Sequence, residues 1–218
     1  MPENGLLHVI EQLFDRDRKV RERAAETLGK YAEGEITDER ALEPLIALLD
    51  DEKDRVRRTA AYALGRYAEQ GLVKKKALDK LITLMKDKSR NVRQNATFAL
   101  LMYSYQNLMD RKALKSLIEI LGESDFLASG EAAYTLAKYS ERGILDETAL
   151  IPLIKLLESK DKLARANAVY AIGKYAEKGI VNQQAIKILA KLLKDKDYRV
   201  RQNASMAIDE YSKQGIPI

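Results

Sequence analysis

Residues 60–69 read "AAYALGRYAE". Alanine and leucine dominate and no β-branched residue interrupts, so the stretch is predicted to be helical. Its two tyrosines, Tyr62 and Tyr67, stand five residues apart. At 100° per residue the two rings leave the helix about 140° from each other, so they cannot share one core. One is structural and the other is not.

The rest of the chain decides which, because the stretch is one of six versions of a single unit. Tyr67 recurs as Tyr31, Tyr103, Tyr139, Tyr175 and Tyr211, always 36 residues apart. Leu42, Leu78, Leu114, Leu150 and Ile186 keep the same spacing, as do Ala60, Ala96, Ala132, Ala168 and Ala204. The units run 2–37, 38–73, 74–109, 110–145, 146–181 and 182–217 without insertion, which predicts one domain over 1–218 and no linker.

Each unit reads as two helices. In "DERALEPLIALLDD", Leu42, Leu45, Ile46 and Leu49 form an apolar stripe at i, i+3, i+4, i+7. Asp38 stands at the N-cap position, repeated by Asp110, Asp146 and Asn182. Pro44 and Pro152 fall inside this first helix, where a missing N–H is expected to bend it. A polar turn follows, and the second helix, about 55–70, stops at Gly71. Gly143, Gly179, Gly215 and Asn107 take the same left-handed capping position. Two helices repeated six times predict an all-α, right-handed α-solenoid of six 36-residue repeats.

On the wheel of the second helix, Val56, Ala60, Leu64 and Tyr67 share one side. Tyr67 is therefore the core tyrosine, its hydroxyl expected to reach a carbonyl or water. Tyr62 points outward with Arg58, Arg66 and Glu69. Its column through the repeats is Glu26, Tyr62, Phe98, Tyr134, Tyr170 and Met206. Four consecutive units thus carry a ring there, at the ~8–10 Å spacing of packed helices. One reading makes them a binding ladder; the other has them cover small residues of the adjacent helix.

The chain has 218 residues, no cysteine and one histidine, His8. Disulfides, thiolate sites and histidine metal sites are excluded. No phosphate-binding glycine motif occurs, no apolar run is long enough to span a membrane, and no signal peptide opens the sequence. The cytoplasm is the default compartment. Nothing in the sequence warrants catalysis, a cofactor or a metal.

"VRRTAAYALGRYAEQG" (56–71) and "ARANAVYAIGKYAEKG" (164–179) resemble the second helix of lyase-type HEAT repeats. The arginine after the turn, the small-residue pair and the Leu-Gly step carry the likeness, which covers the whole chain. The same stretch resembles the third helix of armadillo repeats, with Tyr62 in place of a tryptophan and Arg66 in place of an asparagine. The resemblance implies that second helices line a concave face and that turn residues form a ladder of Asp–Arg pairs. Here those are Arg21, Arg57, Arg93, Arg165 and Arg201, with Ser129 the exception, and Asp15, Asp51, Asp87 and Asp195 six positions earlier.

Around the rings stand Lys30, Arg66, Met102, Lys138, Lys174 and Glu210, one turn on. Asn95, Asn167 and Asn203 lie one turn earlier, either to hold a ligand backbone or as ordinary surface amides. Unit three departs from the pattern with Leu101, Met102 and Tyr105, which with Phe98 predict an outward apolar surface. Phe126 and Leu127 of unit four extend it. Unit three is also the most basic, at +6, owing to Lys74, Lys75, Lys76, Lys80, Lys86 and Lys88.

The expectation is a non-catalytic scaffold that binds an extended peptide or a partner surface through Tyr62, Arg66, Asn95, Phe98, Met102, Tyr105, Tyr134, Lys138, Asn167, Tyr170, Lys174 and Asn203. The main alternative is a nucleic-acid binder that uses the lysines and stacks bases on the rings. A lyase-type chromophore-handling subunit rests on the resemblance alone, and unbroken register would also suit a designed repeat scaffold. Gln12 reads as a polar N-terminal cap, favouring a monomer. Ile188 and Met206 leave apolar surface at the other end, where a dimer would form.

Overall fold

The computed structural model describes residues 3–123 and 125–216. Twelve α-helices are found there and no strand. They are α1 (Glu3–Glu11), α2 (Arg18–Glu33), α3 (Leu42–Ala47), α4 (Asp54–Glu69), α5 (Lys75–Leu84), α6 (Arg90–Tyr105), α7 (Ala113–Leu121), α8 (Phe126–Glu141), α9 (Leu150–Leu156), α10 (Lys162–Ala176), α11 (Gln183–Leu192) and α12 (Tyr198–Lys213). The chain divides into two compact units, one through Asp110 and one from Arg111. Each holds three helix pairs. Within the first, α2 packs on α4 and α4 on α6; within the second, α8 packs on α10 and α10 on α12. Every odd-numbered helix lies against the even-numbered helix that follows it.

The predicted core stripe is the core. Val56, Ala60, Leu64 and Tyr67 are buried, and so are the repeat equivalents Tyr103, Tyr139, Tyr175 and Tyr211. Burial pushes the Tyr67 and Tyr103 hydroxyls up to about 12. In the last repeat the hydroxyl meets a donor, the backbone N–H of Asn182 donating to Tyr211 Oη at 3.2 Å, whereas the buried Oη of Tyr67, Tyr103 and Tyr175 has no hydrogen-bond partner among the described residues. A hydroxyl at the start of a helix meets unpaired N–H groups, not carbonyls.

Second helices end alike. Gly71, Gly143, Gly179 and Gly215 have φ of 78, 72, 78 and 74°, and Asn107 has 57°. The first repeat reaches the same conformation with Glu35, at φ 61°, which its sequence did not signal. In every repeat the next N–H, from Ile36, Leu72, Leu108, Ile144, Ile180 or Ile216, closes onto the carbonyl of the core tyrosine at 2.9–3.2 Å. That bond and the apolar residue donating it form a Schellman motif. Asp38, Asp146 and Asn182 cap as expected, accepting from the N–H two residues on. Asp110 instead precedes α7 by more than a cap position, since α7 follows Lys112.

Pro44 and Pro152 do not bend a running helix. Each sits in the first turn of a short helix, α3 or α9, behind a 3₁₀ turn at Glu39–Ala41 or Glu147–Ala149. The missing proline N–H falls where a helix start needs none.

Arginines after the turns stitch consecutive repeats. Arg57 Nη1 donates to the carbonyl of Asp51 at 2.7 Å, while its Nε and Nη2 reach the Asp87 carboxylate at 2.7 and 3.0 Å. Arg21 joins Asp51, and Arg165 joins Asp195, in the same way. These three arginines thus pair with the carboxylate of the following repeat and with only the backbone of their own turn, while Arg201 of the last repeat bonds the carbonyls of Asp195 and Lys196. Ser129, the exception, turns its hydroxyl to the carbonyls of Ile120 and Glu123 at 3.0 and 3.2 Å.

Candidate binding face of the second helices

Outward rings stack on one another within each compact unit. Tyr62 and Phe98 stack with centroids 6.1 Å apart and an interplanar angle of 26°. Tyr134 and Tyr170 stack at 5.4 Å and 19°. All four are half-buried rather than exposed, and glycines explain the first pair. A Cβ added to Gly29 would come within 2.8 Å of the Tyr62 ring, and one on Gly65 within 2.6 Å of Phe98. The rings therefore lie flat on the preceding second helix. The covering reading thus holds for Tyr62 and Phe98, each of which lies over a glycine of the preceding second helix.

The cations of the face are neutralised. Arg66 lies 5.1 and 5.0 Å from the Tyr62 and Phe98 ring centroids, yet pairs with Glu33 at 2.9 Å and Glu69 at 2.8 Å. Lys138 pairs with Glu141 at 2.7 Å, and Lys174, over the Tyr170 ring, with Glu177 at 2.6 Å. Glutamates also hold the ring hydroxyls: Tyr62 donates to Glu33, and Tyr170 to Glu141 at 2.8 Å. Burial and that carboxylate push both hydroxyls above the ordinary tyrosine range. The sequence missed these glutamates because their partners sit one repeat on.

Asn95, Asn167 and Asn203 are neither plain surface amides nor wholly free ones. Their Nδ2 atoms donate to the carbonyls of Arg58, Gly130 and Ala166 at 3.2, 3.0 and 2.9 Å, one repeat back. One N–H of each amide is thereby committed, and the amide plane is fixed. The fourth repeat has Glu131 in this column. Its Oε2 is shut off from solvent with no hydrogen-bond partner among the described residues. Burial, with the Asp125 carboxylate nearby, pushes its carboxyl up to about 8.

The apolar surface expected of unit three is smaller than the sequence suggested. Leu101 is 8% exposed and belongs to the core, Met102 is half-buried, and Tyr105 is 47% exposed at the end of α6. Phe126 and Leu127 are exposed as expected. Two of the lysines of unit three are paired across the first helices: Lys76 meets Glu43 at 3.1 Å, and Lys80 meets Asp50.

A cavity of 330 Å³ opens beside Tyr62, lined by Arg58, Gln94 and Asn95 among others. A second, of 300 Å³, lies between Tyr134, Tyr170, Gln202 and Asn203. No group of three or more His, Cys, Asp or Glu suited to a metal occurs among the described residues. No helix among them is long and apolar enough to cross a membrane.

Comparison with known proteins places this geometry. A family model for HEAT repeats matches residues 5–101, 78–173 and 149–215. An engineered protein of known structure is 26% identical, with a TM-score of 0.81, covering 98% of this chain and 100% of its own. A designed armadillo repeat protein is 27% identical at TM-score 0.78, covering 94% of this chain and 99% of its own. Another, solved in complex with the peptide (KR)4, is 26% identical at TM-score 0.77 with the same coverage. Curated proteins yield no match.

Proposed function

We propose, from the premise that this chain belongs to the HEAT-repeat family, that it is a non-catalytic interaction scaffold. Its ligand is an extended peptide or a partner's surface segment, held on the concave face lined by the second helices. The observation that carries this reading is the pair of ring stacks, with a fixed amide one turn before Phe98 and one turn before Tyr170. Flat aromatic faces supply contact area at little cost in side-chain entropy, and aromatic residues dominate binding hot spots. Likeness to a designed armadillo protein that holds a peptide supports the kind of partner.

Phe98 is the member of the ladder without a hydroxyl to anchor it, so truncation leaves the neighbouring hydrogen bonds intact. Phe98→Ala is expected to weaken partner binding by about 2 kcal/mol, read by titration calorimetry. The partner itself is to be found by nuclease-treated pull-down, comparing wild type with a Phe98→Ala, Tyr134→Ala double variant. A protein retained only by the wild type supports the reading. Material lost to nuclease, or retained equally by the variant, moves the function to the lysines of the first helices.

A further inference from the structure

The two cavities are the same cavity built twice. Adding 108 residues, three repeats, to the lining of the first reproduces seven of the eight lining positions of the second. Tyr62 becomes Tyr170, Thr59 becomes Asn167, Gln94 becomes Gln202 and Asn95 becomes Asn203. The sequence carries the duplication openly, as "VRQNA" at 92–96 and again at 200–204. One cavity lies within each compact unit, across α2, α4 and α6 in the first and α8, α10 and α12 in the second.

Each contains the parts needed to grip a peptide unit. Asn95 and Asn203 give one N–H to a neighbouring carbonyl at 3.2 and 2.9 Å. That bond fixes the amide and leaves its oxygen and second N–H for a ligand's N–H and C=O. Gln94 and Gln202 stand beside them, and a tyrosine ring forms a wall.

Each cavity also holds a guanidinium, although at non-equivalent positions, since Arg58 corresponds to Ala166 and Arg199 to Asn91. Arg58 reaches Glu22 at 3.6 Å, and Arg199 reaches Asp197 at 3.4 Å, against 2.7–2.9 Å for the ladder arginines Arg57 and Arg165. Among the lining residues the only carboxylate is Glu26, and Lys30 holds it at 2.8 Å. Counted on lining residues alone each cavity carries one excess positive charge, and the long contacts to Glu22 and Asp197 are the ones an acidic ligand would displace.

We infer that each three-repeat unit carries its own site for an acidic peptide segment, so that one chain takes two. The guanidinium binds the aspartate or glutamate side chain, the Asn–Gln pair binds the adjacent peptide group, and the tyrosine covers it. This rests on the peptide-scaffold reading and adds the ligand's charge and the stoichiometry.

The probes are capped (Asp-Ala)4 and capped (Lys-Arg)4, titrated into the ¹⁵N-labelled full-length chain. The expected result is that the acidic peptide shifts the side-chain amide resonances of both Asn95 and Asn203, saturating at two peptides per chain. Gln94→Glu should weaken the first site about tenfold and leave the second unchanged, and Gln202→Glu the reverse, as expected for losing an amide donor and setting a carboxylate beside an acidic ligand. Arg58→Ala provides a second variant of the first site, away from the ladder pairs. A single peptide per chain, or tighter binding of (Lys-Arg)4 at the same resonances, overturns the inference and leaves the scaffold reading standing. Absence of any shift with either peptide overturns the inference; the scaffold reading then fails only if the ring double variant also retains the same partners.

Discussion

Glu131 shows how much one substitution in a repeated column matters. In three other repeats the position is an asparagine that donates to a carbonyl one repeat back. A carboxylate can only accept, so the burial of Oε2 favours the acid form and lifts the carboxyl to about 8. The folded protein then keeps a proton that the unfolded chain releases near pH 4.3. This group's contribution should be greatest below that value and fall as pH rises towards 8, by on the order of 3–4 kcal/mol at pH 7. Glu131→Gln supplies the missing donor at all pH values. Denaturant melts at pH 5 and pH 8 should differ for wild type and coincide for the variant; a slope shared by both would remove Glu131 from the account. Asp87 and Asp195 act in the opposite sense. Burial works against the charge of Asp87, but its bonds from Arg57 and the Ser89 N–H outweigh it, and the Arg165 bond leads for Asp195. Their contribution is present above the ordinary aspartate range and lost only as pH falls below it, outside the window where Glu131 acts.

At the scale of helices, the Leu-Gly step sets the distance between consecutive second helices and the pose of the rings. By intrinsic propensity, Gly65→Ala in mid-helix should stabilise α4 by about 1 kcal/mol. Packing argues the other way. The new methyl would sit 2.6 Å from the Phe98 ring and 3.2 Å from the Ala99 Cα, and the backbone atom cannot swing aside as a ring can. Overpacking of this kind costs about 1–3 kcal/mol, so the variant should be net destabilised in chemical denaturation and should lose the stacking of Phe98 on Tyr62. A gain in stability would mean that the helices separate freely. The glycine was visible in the sequence; the ring lying on it was not, because the two belong to helices of different repeats.

Across the whole molecule, stability should behave as a sum of local interfaces, as expected where each repeat contacts its neighbours. Arg57 and Arg165 occupy equivalent places, one in each compact unit, and share no partner. Both pairs are largely shielded, with side-chain exposures of 11% and 8% for Arg57 and Asp87, and 16% and 9% for Arg165 and Asp195. Removing either arginine strands a carboxylate and a turn carbonyl, at about 2–3 kcal/mol each. The Arg57→Ala, Arg165→Ala double variant should lose the sum of the two single losses to within about 0.5 kcal/mol. A markedly smaller or larger combined loss would show that the two sites are energetically coupled and overturn the local-interface account.

Period and pattern were enough to determine the helices, their pairing, the buried face with Tyr67 on it, and the glycine stops. All of these follow from local rules: the 3.6-residue turn, the capping chemistry and the repetition of one unit. What the tertiary structure decided lies between repeats. Arg66 is held by Glu33 of the preceding repeat; Leu101 looks outward but is buried; the ladder arginines seek the next repeat's aspartate; and Asn95 and Asn203 anchor to carbonyls that no side-chain code can reveal. A wheel assigns a direction to each side chain, whereas its partner depends on the distance to a helix a full repeat away, which only packing fixes.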